Sequence, residues 1–120
     1  MRTVLTKTLE FDAAHRLLTF PEGHKCRGLH GHSFKVDIVL EGEVDPAKGY
    51  LVDFGEIKRA AKPLIDRLDH HYLNDIEGLE VPTAENLAKW FYDRLIGDLP
   101  MLKLVRVHET ATSAAEYFGD

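Results

Sequence analysis

The chain has almost nothing with which to fasten itself covalently and no stretch long enough to cross a membrane. Among 120 residues there is one cysteine, Cys26, so no internal disulfide can form and no oxidising compartment is required. No apolar run approaches the roughly 20 residues that span a bilayer, and Met1-Arg2-Thr3-Val4-Leu5-Thr6-Lys7 lacks the apolar stretch of a secretory leader. Basic residues are outnumbered, 15 against 20 acidic, and no basic stripe is present, which argues against nucleic acid as a partner. No repeat, linker or low-complexity tract divides the sequence. These absences leave a single domain over residues 1–120, expected in the cytoplasm, with neither a membrane nor a nucleic acid as partner.

What the chain does have is histidine in a telling pattern. From His32 to Leu40, residues His32, Phe34, Val36, Ile38 and Leu40 point one way and Ser33, Lys35, Asp37 and Val39 the other, the two-residue period of a strand. His30 shares the face of His32 by the same parity. The earlier run from Thr3 to His15 places Leu5, Leu9, Phe11, Ala13 and His15 on one face, interrupted by Lys7. If the two runs pair antiparallel, His15, His30 and His32 converge at one end of a buried sheet face. A single histidine on an apolar face is usually a core residue satisfied by a hydrogen bond. Three at one end of two adjacent strands would each need a polar partner, and three imidazoles with an open fourth position are the ligand set of a catalytic zinc.

Further along, Asp45-Pro46-Ala47-Lys48-Gly49 is rich in turn formers, and Asp53 with Glu56 resembles a capping box. Phe54, Ile57, Ala61, Leu64 and Leu68 then follow helical spacing, with Pro63 expected to kink the helix. A connector from Asp69 to Pro82 leads to Thr83, the N-cap of a second helix through Ile96 with the stripe Leu87, Trp90, Phe91 and Leu95, ended by Gly97. Leu102 to Glu109 reads as a third strand and Ala115 to Phe118 as a fourth. The order is strand, strand, helix, helix, strand, strand, an α+β fold with two helices on one face of a four-stranded sheet. Neither edge of such a sheet is guarded by proline or a run of charge, which predicts association through edges.

Three other features carry chemistry. The loop from Arg16 to Leu29 is long for a hairpin and holds Cys26 between Lys25 and Arg27, a setting that favours the thiolate. Cys26 has two other fates open to it, a small buried residue or a fourth metal ligand that would close the site. Asp69-His70 offers a carboxylate that can orient an imidazole for proton transfer, although a helix-ending Asp beside a solvated His is an equal reading. His71, His24 and His108 carry no specific expectation. Glu109 continues the apolar stripe of Val105 and Val107, where a carboxylate needs a lysine, an arginine, or a flat ligand edge with two N–H donors.

These pieces together resemble the 6-pyruvoyl-tetrahydropterin synthase superfamily, and most closely its 6-carboxytetrahydropterin synthase branch from queuosine biosynthesis. The matching residues are Phe11-Asp12-Ala13-Ala14-His15, Cys26 with three residues before His30-Gly31-His32, Val52-Asp53-Phe54, Leu68-Asp69-His70-His71-Tyr72-Leu73-Asn74, Pro82-Thr83-Ala84-Glu85-Asn86-Leu87 and Glu109-Thr110. The short Cys-to-His spacing favours the carboxy branch, while the Arg27-Gly28 order differs from relatives with glycine directly after the cysteine. The resemblance implies a tunnelling fold, in which subunits join their antiparallel sheets into a barrel and trimers stack into a homohexamer with active sites at the interfaces. It also implies a lyase acting on 7,8-dihydroneopterin triphosphate, giving 6-carboxy-5,6,7,8-tetrahydropterin, acetaldehyde and triphosphate. Zn2+ would sit on His15, His30 and His32, with Cys26 as base and His70, Asp69 and Glu109 relaying or orienting protons, some of them toward a neighbouring chain's zinc. Glu109 would also hold the pterin edge, and Arg16, Lys25 and Arg27 are candidates for the triphosphate. Two rival expectations are a pyruvoyl-forming synthase and a non-catalytic, zinc-stabilised binding module.

Overall fold

A computed structural model describes residues 1–120. Four strands, β1 (Arg2–His15), β2 (His30–Glu43), β3 (Leu102–Thr110) and β4 (Ser113–Tyr117), form one antiparallel sheet in the order β1-β2-β3-β4. Helices α1 (Phe54–Leu68) and α2 (Ala84–Leu95) lie on one face, α1 over β1 and α2 over β3 and β4. The expected α+β order is what the chain adopts. No helix is long and apolar enough to cross a membrane.

The alternation read from the sequence sets which side of the sheet is dry. Phe11, Phe34, Val36, Ile38 and Leu40 of β1 and β2 are buried against Ile57, Ala61, Leu68, Leu87, Phe91 and Leu95 of the helices. Each large side chain removed from water in this way contributes about 1.5–3 kcal/mol. Phe11 and Phe34 stack with centroids 5.0 Å apart, directly inward of the histidine end of the sheet. Phe54, placed on the helical stripe by its spacing, is instead exposed, because it is the first residue of α1 and overhangs the core.

Several boundaries differ from the sequence expectation for physical reasons. β2 runs three residues past Leu40, because β1 begins at Arg2 and offers partners as far as Arg2↔Glu43. β4 starts earlier, at Ser113, across a tight turn in which Thr112 N–H donates to Thr110 Oγ1 at 3.3 Å. Pro63 does not end α1; it lies on the exposed side while Ile57, Ala61, Ile65 and Leu68 hold the other side in the core. Asp53 caps α1 by accepting from Gly55 N–H at 2.8 Å, one residue short of the Glu56 amide a capping box would use.

The edge of β1 is not bare along its whole length. Residues 69–74 lie against its C-terminal part: His70 N–H donates to Asp12 O at 2.6 Å and Ala14 N–H donates to His71 O at 3.2 Å. Asn74 closes this seam, its Oδ1 accepting from Arg16 N–H at 2.9 Å and its Nδ2 donating to Arg16 O at 2.8 Å. The expectation of two unguarded edges therefore holds for β4 and the N-terminal part of β1 only. Next to the histidine end, the connector occupies the edge.

On the face away from the helices, Asp37 is buried but well served. Burial alone would push its carboxyl up, yet hydrogen bonds from Thr8 Oγ1 at 2.7 Å, His108 Nε2 at 2.8 Å and Arg106 at 3.2 Å outweigh that and hold it below its ordinary 3.8. His108 is thereby a structural partner of a carboxylate, on the face of the sheet opposite to the histidine cluster.

Candidate metal centre and active site

Strand register alone assembles the histidine cluster. His15 ends β1 opposite His30, and Ala13 lies opposite His32, so all three rings leave the helix-facing side at one end of the hairpin. Phe34 floors them: its ring lies 5.7 Å from that of His15 and 5.5 Å from that of His32, edge to face. Gly31 between the two ligands is needed for closeness. A Cβ there would sit 3.1 Å from Ala13 O, closer than ordinary contact, so a side chain would make β1 and β2 give by a few tenths of an ångström where the rings meet.

The hydrogen bonds of the rings point to a cation. His15, fully buried, has Nδ1 2.9 Å from Pro82 O, and His30 has Nδ1 2.7 Å from Gly28 O. A carbonyl oxygen only accepts, so both Nδ1 atoms carry the proton and both Nε2 atoms of the neutral rings present lone pairs. Those two Nε2 atoms face each other at 3.0 Å. Two lone pairs at that separation repel unless a positive centre lies between them. Three imidazole donors within 4.8 Å of one another, two of them orientated by carbonyls, make up a ligand set for an imidazole-binding divalent ion. Burial, the largest influence, lowers the pKa of His15 below 6.5, reinforced by His30 and His32; the Pro82 carbonyl and Glu109 pull the other way without prevailing. The ring is neutral at physiological pH, as a ligand must be.

Around this trio the remaining candidates divide into two groups. Cys26 lies in a one-turn 3₁₀ segment, Lys25–Arg27, and is half-buried. It lines a cavity of roughly 430 Å³ with Lys25, His30, His32, Glu109 and Thr110. Glu109 projects from β3 so that Oε1 lies 3.5 Å from His15 Nε2 and 3.6 Å from His32 Nε2. Metal ligands, thiol, carboxylate and one lysine thus converge within a single chain.

Asp69 and His70 form a pair, with Asp69 Oδ1 3.0 Å from His70 Nδ1. The required turn is present: His70 has φ +59°, a left-handed conformation uncommon outside glycine. Asp12 clasps this corner, its N–H donating to Asp69 Oδ1 at 3.0 Å. That backbone donor first, and His70 second, keep the Asp69 carboxyl below its ordinary 3.8. The pair does not line the Cys26 cavity. His70 borders a separate cleft with Asp12, Ala13, Ala14, Gly31, His32, Ser33, His71 and Tyr72, with Asp69 behind it, so His32 is common to both.

The triphosphate candidates fare unequally. Lys25 lines the Cys26 cavity. Arg27 turns its guanidinium inward on the loop, donating to Leu18 O and, at 3.0 Å, to Phe20 O. Arg16 Nε donates to Arg27 O at 2.9 Å. Sequence reasoning did not foresee the carbonyls of Pro82 and Gly28 as ring-orienting groups, and no side-chain signal marks a carbonyl. Nor did it give His24 a task, although its ring accepts from Cys26 N–H at 3.0 Å.

Comparison with known proteins agrees with this geometry. The family model described as 6-pyruvoyl tetrahydropterin synthase matches residues 4–120. A 6-carboxy-5,6,7,8-tetrahydropterin synthase of Synechocystis sp. is 42% identical over 122 residues, spanning 97% of this chain and 93% of that protein. A dihydroneopterin monophosphate aldolase of Pyrococcus furiosus is 36% identical over 100 residues, spanning 83% of this chain and 81% of its own. The solved structure of Caenorhabditis elegans 6-pyruvoyl tetrahydropterin synthase superposes with a TM-score of 0.90 at 28% identity, covering 100% of this chain and 97% of that one. With the family match running from residue 4 to 120 and the fold superposing over the whole chain, the chain belongs to the 6-pyruvoyl tetrahydropterin synthase family.

Proposed function

We propose that the protein is a zinc-dependent lyase that converts 7,8-dihydroneopterin triphosphate and one water to 6-carboxy-5,6,7,8-tetrahydropterin, releasing acetaldehyde and triphosphate, in the route to queuosine. The observation that carries the reading is the convergence of His30, His32, Cys26 and Glu109 around one cavity, with His15 buried against His30, His32 and Glu109 at its base. The 42% identity to a relative named for this product supports the carboxy branch.

His15, His30 and His32 hold the metal. When bound, zinc supplies Lewis acidity that makes the side-chain hydroxyls of the substrate easier to ionise. Cys26, as thiolate, takes a proton from the substrate side chain, a role supported by its position with His30 and His32 on the wall of one cavity. Glu109 accepts the two N–H donors of the amino-pyrimidinone edge, which fixes the pterin in the cavity. Asp69 holds the Nδ1 proton of His70 and leaves Nε2 able to accept or return a proton. Since His70, with Asp69 behind it, borders a different cleft from Cys26 in one chain, the pair serves the cavity of an adjoining subunit within a homohexamer built as a dimer of trimers. Lys25 meets the triphosphate at the cavity, while Arg16 and Arg27 shape the loop that presents it.

Replacement of Cys26 by alanine tests the assignment. Zinc content and oligomeric state should be unchanged while acetaldehyde release falls by about 10²–10⁴-fold, the usual worth of a positioned base. Unaltered release would remove Cys26 from the chemistry. A pyruvoyl-forming synthase is the second reading, favoured by the TM-score of 0.90 to the Caenorhabditis elegans enzyme. It predicts loss of triphosphate with every side-chain carbon retained and no acetaldehyde.

A further inference from the structure

The turn bearing Cys26 has both of its peptide groups taken. Cys26 N–H donates to His24 Nδ1 at 3.0 Å, and Cys26 O accepts from Leu17 N–H at 2.9 Å. The imidazole of His24 is itself steadied by Phe20, with the rings stacked at 4.4 Å and 23°. Arg27, the next residue, fastens the far side of the loop through Leu18 O and Phe20 O. Phe20 is thus gripped from two directions, and the ring it supports grips Cys26. With its N–H and O fixed, the only freedom left to Cys26 is its side-chain rotor, which opens toward His30, His32 and Glu109.

Because Nδ1 accepts, His24 is the neutral ring with its proton on Nε2. The same ring is exposed and packs on no core residue, so a purely structural debt to it is small. An acceptor two residues before the amide it caps is the geometry that asparagine, aspartate and serine usually supply at a helix start.

We propose that His24 is a positioning residue for Cys26: its Nδ1 lone pair fixes the cysteine amide and so aims the thiol into the metal-side cavity. This rests on the reading of Cys26 as the base, but the bond itself can be read without any turnover. The experiment compares the zinc-loaded full chain with His24→Ala and His24→Asn. Amide hydrogen exchange at Cys26 reads the bond, and steady-state kinetics with 7,8-dihydroneopterin triphosphate read the aim.

In His24→Ala the Cys26 amide should exchange about tenfold faster, as for a loop that opens more readily. Its kcat should fall about tenfold, KM changing less than about twofold, because a misdirected base slows the chemical step without loosening the substrate. In His24→Asn the restored acceptor should return both values to within about threefold of the parent. The proposal is overturned if His24→Ala matches the parent in exchange and in kcat, or if His24→Asn is as impaired as His24→Ala. Should Cys26→Ala retain full activity, the catalytic reading fails, while the exchange data still decide whether His24 holds the turn.

Discussion

His15 unites the physics of the core with the chemistry of the site. It is fully buried, it gives its Nδ1 proton to Pro82 O, and its Nε2 lies within 3.5 Å of both His30 Nε2 and Glu109 Oε1. Burial lowers its pKa from 6.5. In the unfolded chain the ring binds a proton as pH falls through that value, whereas in the folded chain it does so only at lower pH. The unfolded state therefore binds more protons in that window, and stability rises with pH across it. Metal-stripped protein should lose thermal stability between about pH 7 and pH 5, before the carboxylates titrate. A melting temperature flat over this range would contradict a buried neutral His15. A bound ion would flatten the dependence by holding the rings deprotonated.

Among the elements, the β1–β2 hairpin does most of the positioning. Its parity was legible in the sequence, since His-Gly-His and the alternation through Leu40 place the rings on the same face as Phe34 and Val36. The need for glycine between them is a matter of approach: the 3.1 Å gap from a Cβ to Ala13 O is closer than ordinary contact. Gly31→Ala should leave the fold intact but weaken zinc binding by about 10–100-fold, the range typical of misorientated ligands. Competition with a chelator would measure it, and an unchanged dissociation constant would show that the strands tolerate the methyl group. Other features of the site could not be read in advance because they depend on backbone atoms from distant segments. The Pro82 and Gly28 carbonyls, the Asp12 clasp on Asp69 and the left-handed His70 are all of this kind. Pro63 lies inside a continuous helix, where Ile57, Ala61, Ile65 and Leu68 gain more from the core than one missing helical hydrogen bond costs.

At the scale of the whole molecule, the candidate residues of one chain fall in two places. The cavity with Cys26 and Glu109 and the cleft lined by His70 share His32 and nothing else that ionises. The edge of β1 near the histidine cluster is already occupied by residues 69–74, while the Arg2 end of β1 and the outer edge of β4 still offer backbone groups. Assembly through those free edges should give a particle of six chains by native mass spectrometry or sedimentation. A monomer at micromolar concentration would leave Asp69 and His70 without a cavity to serve. The central claim remains chemical. Zinc-loaded protein incubated with 7,8-dihydroneopterin triphosphate, with products identified by mass spectrometry, should yield 6-carboxy-5,6,7,8-tetrahydropterin and acetaldehyde in equal amounts. A pterin retaining all side-chain carbons, or no turnover by the loaded hexamer, would contradict it.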